Sequence, residues 1–77
     1  MLKAQRIERS GEMKIQLKAA RVNSNLTQKE AAKALKISKN SIANYEAYTS
    51  VPSVDLAKRI ATLYGMKVDD IIWSSSE

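Results

Sequence analysis

Two short helices on either side of a three-residue turn are written into residues 27–47, and this pattern constrains the fold more than any other in the chain. Thr27-Gln28-Lys29-Glu30 has the form of a capping box: the threonine hydroxyl accepts from one orphan backbone N–H and the glutamate carboxylate from another. It opens a helix predicted to end near Leu35. Lys36-Ile37-Ser38 is the turn, and Ser38 can cap a further helix from Lys39 to about Ala47. Helices joined so tightly cross steeply and close together, so their contact point needs a small side chain. Ala32 occupies it. Ala31, Leu35, Ile37, Ile42 and Tyr45 fall at the spacing that turns apolar groups inward, while Lys39, Asn40, Ala43 and Asn44 fall on the outward face of the later helix.

The flanking sequence is helical too. Alanine, lysine and leucine are abundant, and alternating β-branched strands are absent. A first helix is predicted from about Lys14 to Asn23, with Ile15, Leu17, Ala20 and Val22 facing inward, broken by Asn23-Ser24-Asn25. Beyond a loop from Tyr48 to Pro52, Ser53 caps a fourth helix with the apolar face Leu56, Ala57, Ile60, Ala61 and Tyr64. Gly65 ends it as a left-handed residue. A short fifth helix is expected from Val68 to Ile72, with Asp69 and Asp70 near its positive end. The expected architecture is all-α: one compact five-helix domain over residues 13–73, an N-terminal extension over 1–12, and a polar tail over 74–77.

At 77 residues the chain can build one modest core and cannot easily enclose a deep substrate pocket. It has no histidine and no cysteine. That removes the usual metal ligands, the thiol nucleophile and the commonest general base at neutral pH. An enzyme is therefore not expected, nor a metal or other cofactor. No apolar run approaches the roughly 20 residues that span a bilayer, and no signal-peptide pattern opens the chain, so a cytoplasmic location is expected. The net charge is +5, and it is unevenly placed. Residues 13–50 carry seven basic and two acidic groups, whereas residues 51–77 carry three basic and four acidic. A polyanion docking on one face produces such an imbalance. Asparagine can pair bidentately with adenine and lysine can donate to guanine, so the Lys39, Asn40 and Asn44 face suits base edges.

The chain from about Lys14 to Ile72 resembles the helix-turn-helix domain of phage repressors and Cro-type regulators, the XRE family. The residues that carry the resemblance are Leu17 and Arg21; Leu26-Thr27-Gln28, Ala32 and Leu35; Ile37-Ser38; Ser41-Ile42 and Tyr45-Glu46; Pro52-Ser53, Ala57, Ile60-Ala61 and Gly65; and Val68-Asp69-Asp70-Ile71. The resemblance implies a phage-repressor-like fold that binds double-stranded DNA as a homodimer on a palindromic operator and regulates transcription, as a repressor. It implies base contacts from Ser38, Lys39, Asn40 and Asn44. It implies phosphate contacts from Thr27, Gln28, Lys29, Lys33, Ser41 and Tyr48, although simple loop packing is an equal alternative for Tyr48. Arg21 and Glu46 match a largely buried ion pair between the first and third helices. Members of this fold also serve as antitoxins or protein-interaction modules, and that reading is the alternative.

Three positions depart from the pattern. Lys36 stands where relatives often have a left-handed glycine, a conformation that costs a non-glycine residue about 1 kcal/mol. Ala47-Tyr48 replaces the glycine that often follows the glutamate, so the loop to Pro52 is expected to be shaped differently. Lys67 stands where a capping serine is common, so the fifth helix is expected to fray. Trp73 is read as a cap on the core or as a dimer contact. Lys3, Arg6 and Arg9 have two readings, an arm along DNA or a leader without that role.

Overall fold

The computed structural model describes residues 14–75. The extension over 1–12, with its possible DNA arm, and the last two residues of the polar tail lie outside the described residues.

The elements in chain order are β1 (Ile15–Gln16), α1 (Leu17–Asn23), α2 (Gln28–Leu35), α3 (Lys39–Glu46), α4 (Val54–Leu63), a single 3-10 turn (Val68–Asp70) and β2 (Ile71–Ile72). Three serine or threonine caps open the longer helices. Thr27 completes its capping box with Glu30, Ser38 Oγ accepts from the Ser41 N–H, and Ser53 Oγ accepts from the Leu56 N–H. Each cap satisfies an amide that the helix itself cannot pair.

All four helices end in one motif. The left-handed residues are Asn25 (φ 60°), Lys36 (φ 60°), Tyr48 (φ 62°) and Gly65 (φ 68°). After each, the next amide reaches back five residues: Leu26 to the Arg21 carbonyl, Ile37 to Ala32, Thr49 to Asn44 and Met66 to Ala61. The left-handed residue's own amide bonds three residues back, completing the Schellman pattern. Only one of the four sites carries glycine, so the other three hold a left-handed conformation that costs L-residues roughly 1–2 kcal/mol. At Lys36 this keeps the tight turn intact without glycine. At Tyr48 it gives the loop the same helix ending that glycine would provide.

Two sequence expectations are corrected at the ends of the domain. The first helix starts at Leu17, because Ile15 and Gln16 form a parallel pair with Ile71 and Ile72. The expected fifth helix is only the 3-10 turn, which has no side-chain cap at Lys67. The β-branched Ile71 and Ile72 then take extended backbone, which suits them better than a helix end. Extension turns Ile71 into the core, where it is 1% exposed.

The core comprises Leu17 and Ala20 of α1, Ala31, Ala32 and Leu35 of α2, Ile42 of α3, Ile60 and Ala61 of α4, with Tyr64 and Ile71. Ile15, Ile37, Tyr45 and Leu56 pack against it, as does Trp73. Val22, expected inside, is 51% exposed. Within a helix of seven residues, Leu17, Ala20 and Arg21 already fill the inward positions at i, i+3 and i+4. The inward place beside Leu17 and Ala20 goes to a charged group.

Candidate nucleic-acid interface

That charged group organises the helix-turn-helix. Arg21 Nε lies 2.5 Å from Glu46 Oε2, and its Nη2 donates to Glu46 Oε1 at 3.3 Å, the two-pronged geometry a guanidinium makes with a carboxylate. Nη1 donates to the Leu26 carbonyl at 2.7 Å, between α1 and α2. Gln28 Nε2 also donates to Glu46 Oε1, at 3.0 Å. One carboxylate at the end of α3 thus gathers α1 and the first residue of α2. Glu46 sits at the negative end of the α3 dipole, where an unpartnered carboxylate is unfavourable, so the cation is needed there. The hydrogen bond that Arg21 donates to Glu46 raises the Arg21 pKa above its ordinary value, against the opposing effect of burial.

The remaining charges follow a pattern. Lys14, Lys18, Lys29, Lys33, Lys36 and Lys39 are exposed. The two acids in this half of the chain are both occupied: Glu30 Oε1 accepts from the Thr27 N–H at 2.9 Å, and Glu46 is held by Arg21 and Gln28. The uneven charge of the sequence therefore becomes a lysine-bearing surface with no unengaged carboxylate on α2 or α3.

The start of α3 breaks the usual stability rule. Helix N-termini favour acidic residues, yet the first turn of α3 contains none and carries Lys39. Dipole and lysine add to a positive end suited to anionic or hydrogen-bond-accepting ligands. Ser38, Lys39 and Asn40 are exposed, and Asn44 is half-buried. Helical spacing places 39, 40, 43 and 44 on one arc and the inward residues 42, 45 and 46 on the other. The Ser38 and Ser41 hydroxyls are 2.9 Å apart and share one hydrogen bond. On α2, exposed Lys29 and Lys33 are four residues apart on one face, and Gln28 is half-buried by its bond to Glu46.

Residues 17–71 match the family model described as Helix-turn-helix. The chain is 42% identical over 59 residues to an uncharacterized HTH-type transcriptional regulator of Methanocaldococcus jannaschii, covering 77% of this chain and 89% of that one. It is 38% identical over 56 residues to the HTH-type transcriptional regulator ImmR of Bacillus subtilis, covering 73% of this chain and 44% of that one. The chain thus spans less than half the length of ImmR. No solved structure matches it.

The chain belongs to the XRE helix-turn-helix family. In this family member the Tyr48 hydroxyl faces inward rather than toward a phosphate. It accepts from the Leu17 N–H at 3.3 Å and donates to the Ile72 carbonyl at 3.2 Å, tying the loop after α3 to α1 and β2. A phosphate oxygen needs a donor, and the only proton on this hydroxyl is already used. These two bonds fit the loop-packing reading of Tyr48.

Sequence reasoning missed two residues that shape this helix-turn-helix. Arg59 on α4 donates through Nη2 to the Leu35 carbonyl at 2.6 Å, placing a cation on the negative end of α2. Thr49 donates from its hydroxyl to Asn44, at 3.2 Å to the backbone carbonyl and 3.4 Å to Oδ1. Thr49 could have been found from the glutamate-to-turn spacing, because the residue after a left-handed helix ending always returns to the last turn. Arg59 left no comparable signal. Among the described residues, no helix is long and apolar enough to cross a membrane.

Proposed function

We propose that two copies of the protein bind a two-fold-related operator, with α3 of each in successive major grooves about 34 Å apart, and act as a cytoplasmic transcriptional repressor. Lys39, Asn40 and Asn44 select sequence, with Ser38 beside them. Thr27, Gln28, Lys29, Lys33 and Ser41, together with the helix N-termini, hold phosphates and set the register. The observation that carries this reading is the outward face of α3: exposed Lys39 and Asn40 at a helix start that has no acid in its first turn. One 77-residue chain offers too few base contacts for useful specificity, which favours a pair of copies. The names of the two relatives support the regulatory role. Selection of bound sequences from a random duplex pool at two salt concentrations tests the proposal. A palindromic consensus is the expected result. Salt-sensitive retention without any consensus would reduce the protein to a nonspecific binder.

A further inference from the structure

Lys36 is the left-handed residue that no contact inside the protein accounts for. Of the four helix-ending sites, Gly65 carries no steric penalty and Asn25 is a type that tolerates the conformation. Tyr48 uses its place to bridge Leu17 and Ile72. Lys36, at φ 60°, is neither a tolerant type nor a bridge. Its side chain is exposed, and its ammonium has no hydrogen bond or ion pair among the described residues. Backbone strain kept without an internal use collects where a molecule meets its ligand.

The position of Lys36 on α2 shows which ligand. Lys29, Lys33 and Lys36 stand at i, i+4 and i+7, so their Cα atoms follow one line along the outer side of the helix, and all three side chains are exposed. Ala31, Ala32 and Leu35 take the inward positions. Glu30 is occupied by the Thr27 cap, so no free carboxylate interrupts the lysine ridge. At about 1.5 Å per residue, the ridge from Lys29 to Lys36 covers about 10 Å, close to the roughly 12 Å width of a major groove.

We infer that Lys36 is a separate phosphate anchor, holding the DNA strand opposite the one held by Gln28 and Lys29, so that α2 grips both walls of the groove that α3 enters. The inference rests on the DNA-binding proposal and adds to it a residue and a second strand. Lysine suits the task, because a compact charge on a flexible stem meets a phosphate without the fixed geometry that a base edge demands. An acidic protein is the other polyanion that such a ridge could meet. The ridge, however, leads through Ser38 to Lys39 at the start of α3, whose first turn has no acid. Duplex DNA seated on α3 therefore already lies at the end of the ridge, and an acidic protein would have to displace it.

The experiment measures affinity against salt concentration for the wild type, Lys36→Gly and Lys36→Arg, on the selected operator and on a scrambled duplex. Glycine fits the left-handed site, so weaker binding by that variant does not reflect a broken turn. Lys36→Gly is expected to lower the salt slope by about one and the affinity by about eightfold at 0.1 M salt, on both duplexes alike. Lys36→Arg is expected to retain both. Urea unfolding of the glycine variant should show a gain in stability, and a purely structural residue would not raise stability while lowering affinity. Replacing single operator phosphates with neutral methylphosphonates then reads the strand. One substitution should weaken the wild type and leave Lys36→Gly unaffected, on the strand opposite the substitution to which Lys29→Ala is indifferent. An unchanged slope in Lys36→Gly overturns the inference, as does a loss confined to the operator or a coupled phosphate on the same strand as that of Lys29. Those outcomes leave the DNA proposal standing, whereas a wild type that binds neither duplex defeats both.

Discussion

Thr49 is joined to Asn44 three times: its amide donates to the Asn44 carbonyl at 3.0 Å, and its hydroxyl lies 3.2 Å from that carbonyl and 3.4 Å from Asn44 Oδ1. The relationship follows from the left-handed Tyr48, which turns the chain so that Thr49 returns to the last turn of α3. A carboxamide oxygen has two lone pairs, so the contact orients Asn44 and leaves it able to pair bidentately with a base. Thr49→Val removes the hydroxyl and keeps the shape. It is expected to lose about 0.5–1.5 kcal/mol of discrimination at one base position while other positions hold, and Thr49→Ser is expected to retain it. Binding measured on single-base operator variants reads this out. A uniform loss at every position would mean that Thr49 supports only the fold.

The Arg21–Glu46 pair has side chains 9% and 5% exposed, so removing one partner strands a buried charge. Arg21→Ala is expected to cost about 3–5 kcal/mol in urea unfolding. The double change Arg21→Met with Glu46→Leu should cost less than Arg21→Ala, because no charge is left unpaired. Gln28→Ala should fall well below both, since the carboxylate keeps its guanidinium. A double variant as unstable as the single one would mean that shape, not charge, is what the pair supplies.

The left-handed sites separate strain from bonding. Lys36→Gly releases about 1–2 kcal/mol of backbone strain and gives back about 0.4–1 kcal/mol in unfolded-chain entropy. A net gain of up to about 1.5 kcal/mol is expected in chemical denaturation. Tyr48→Gly releases similar strain but deletes the bridge to Leu17 and Ile72, each bond contributing about 0.5–1.5 kcal/mol, along with the ring's packing. It is expected to be destabilising. A gain at Tyr48 equal to that at Lys36 would show that the bridge contributes nothing.

Burial pushes the Tyr64 phenol up to about 12, reinforced by the charge of Glu46 and opposed by Arg21. The ordinary value is 10.0, so the unfolded chain ionises first as pH rises. The contribution of neutral Tyr64 is complete below pH 10 and is lost as pH climbs toward 12. The shift corresponds to about 2–3 kcal/mol across that window. Unfolding free energies of wild type and Tyr64→Phe should diverge only there, with the wild type falling faster. Parallel curves would place the Tyr64 titration at its ordinary value.

The middle of the fold was legible because its signals are local. Thr27, Ser38 and Ser53 announce helix starts through their own side chains, and the small Ala32 marks a close crossing. The edges were not legible, because tertiary contacts decide them. Ile71 and Ile72 read as the end of a helix until the distant Ile15 and Gln16 offer them a parallel partner. Arg21 and Glu46 came from family resemblance, since 25 residues of separation hide a contact from any local pattern. The same holds for Tyr48, whose hydroxyl finds partners at opposite ends of the chain.

Asn44 and Lys33 separate reading from holding. Asn44 lies on the outward arc of α3 and Lys33 is exposed in the last turn of α2. If α3 reads bases, Asn44→Ala should cost about 1–3 kcal/mol on the selected operator and relax preference at one position. Its dependence on salt should not change, since no phosphate charge is released. Lys33→Ala should weaken all sequences alike and reduce the salt slope by about one. Titration of both variants against operator and scrambled duplex, at several ionic strengths, gives the two slopes directly. The assignment fails if Asn44→Ala alters operator and scrambled DNA equally, because a side chain that contacts base edges must distinguish between sequences.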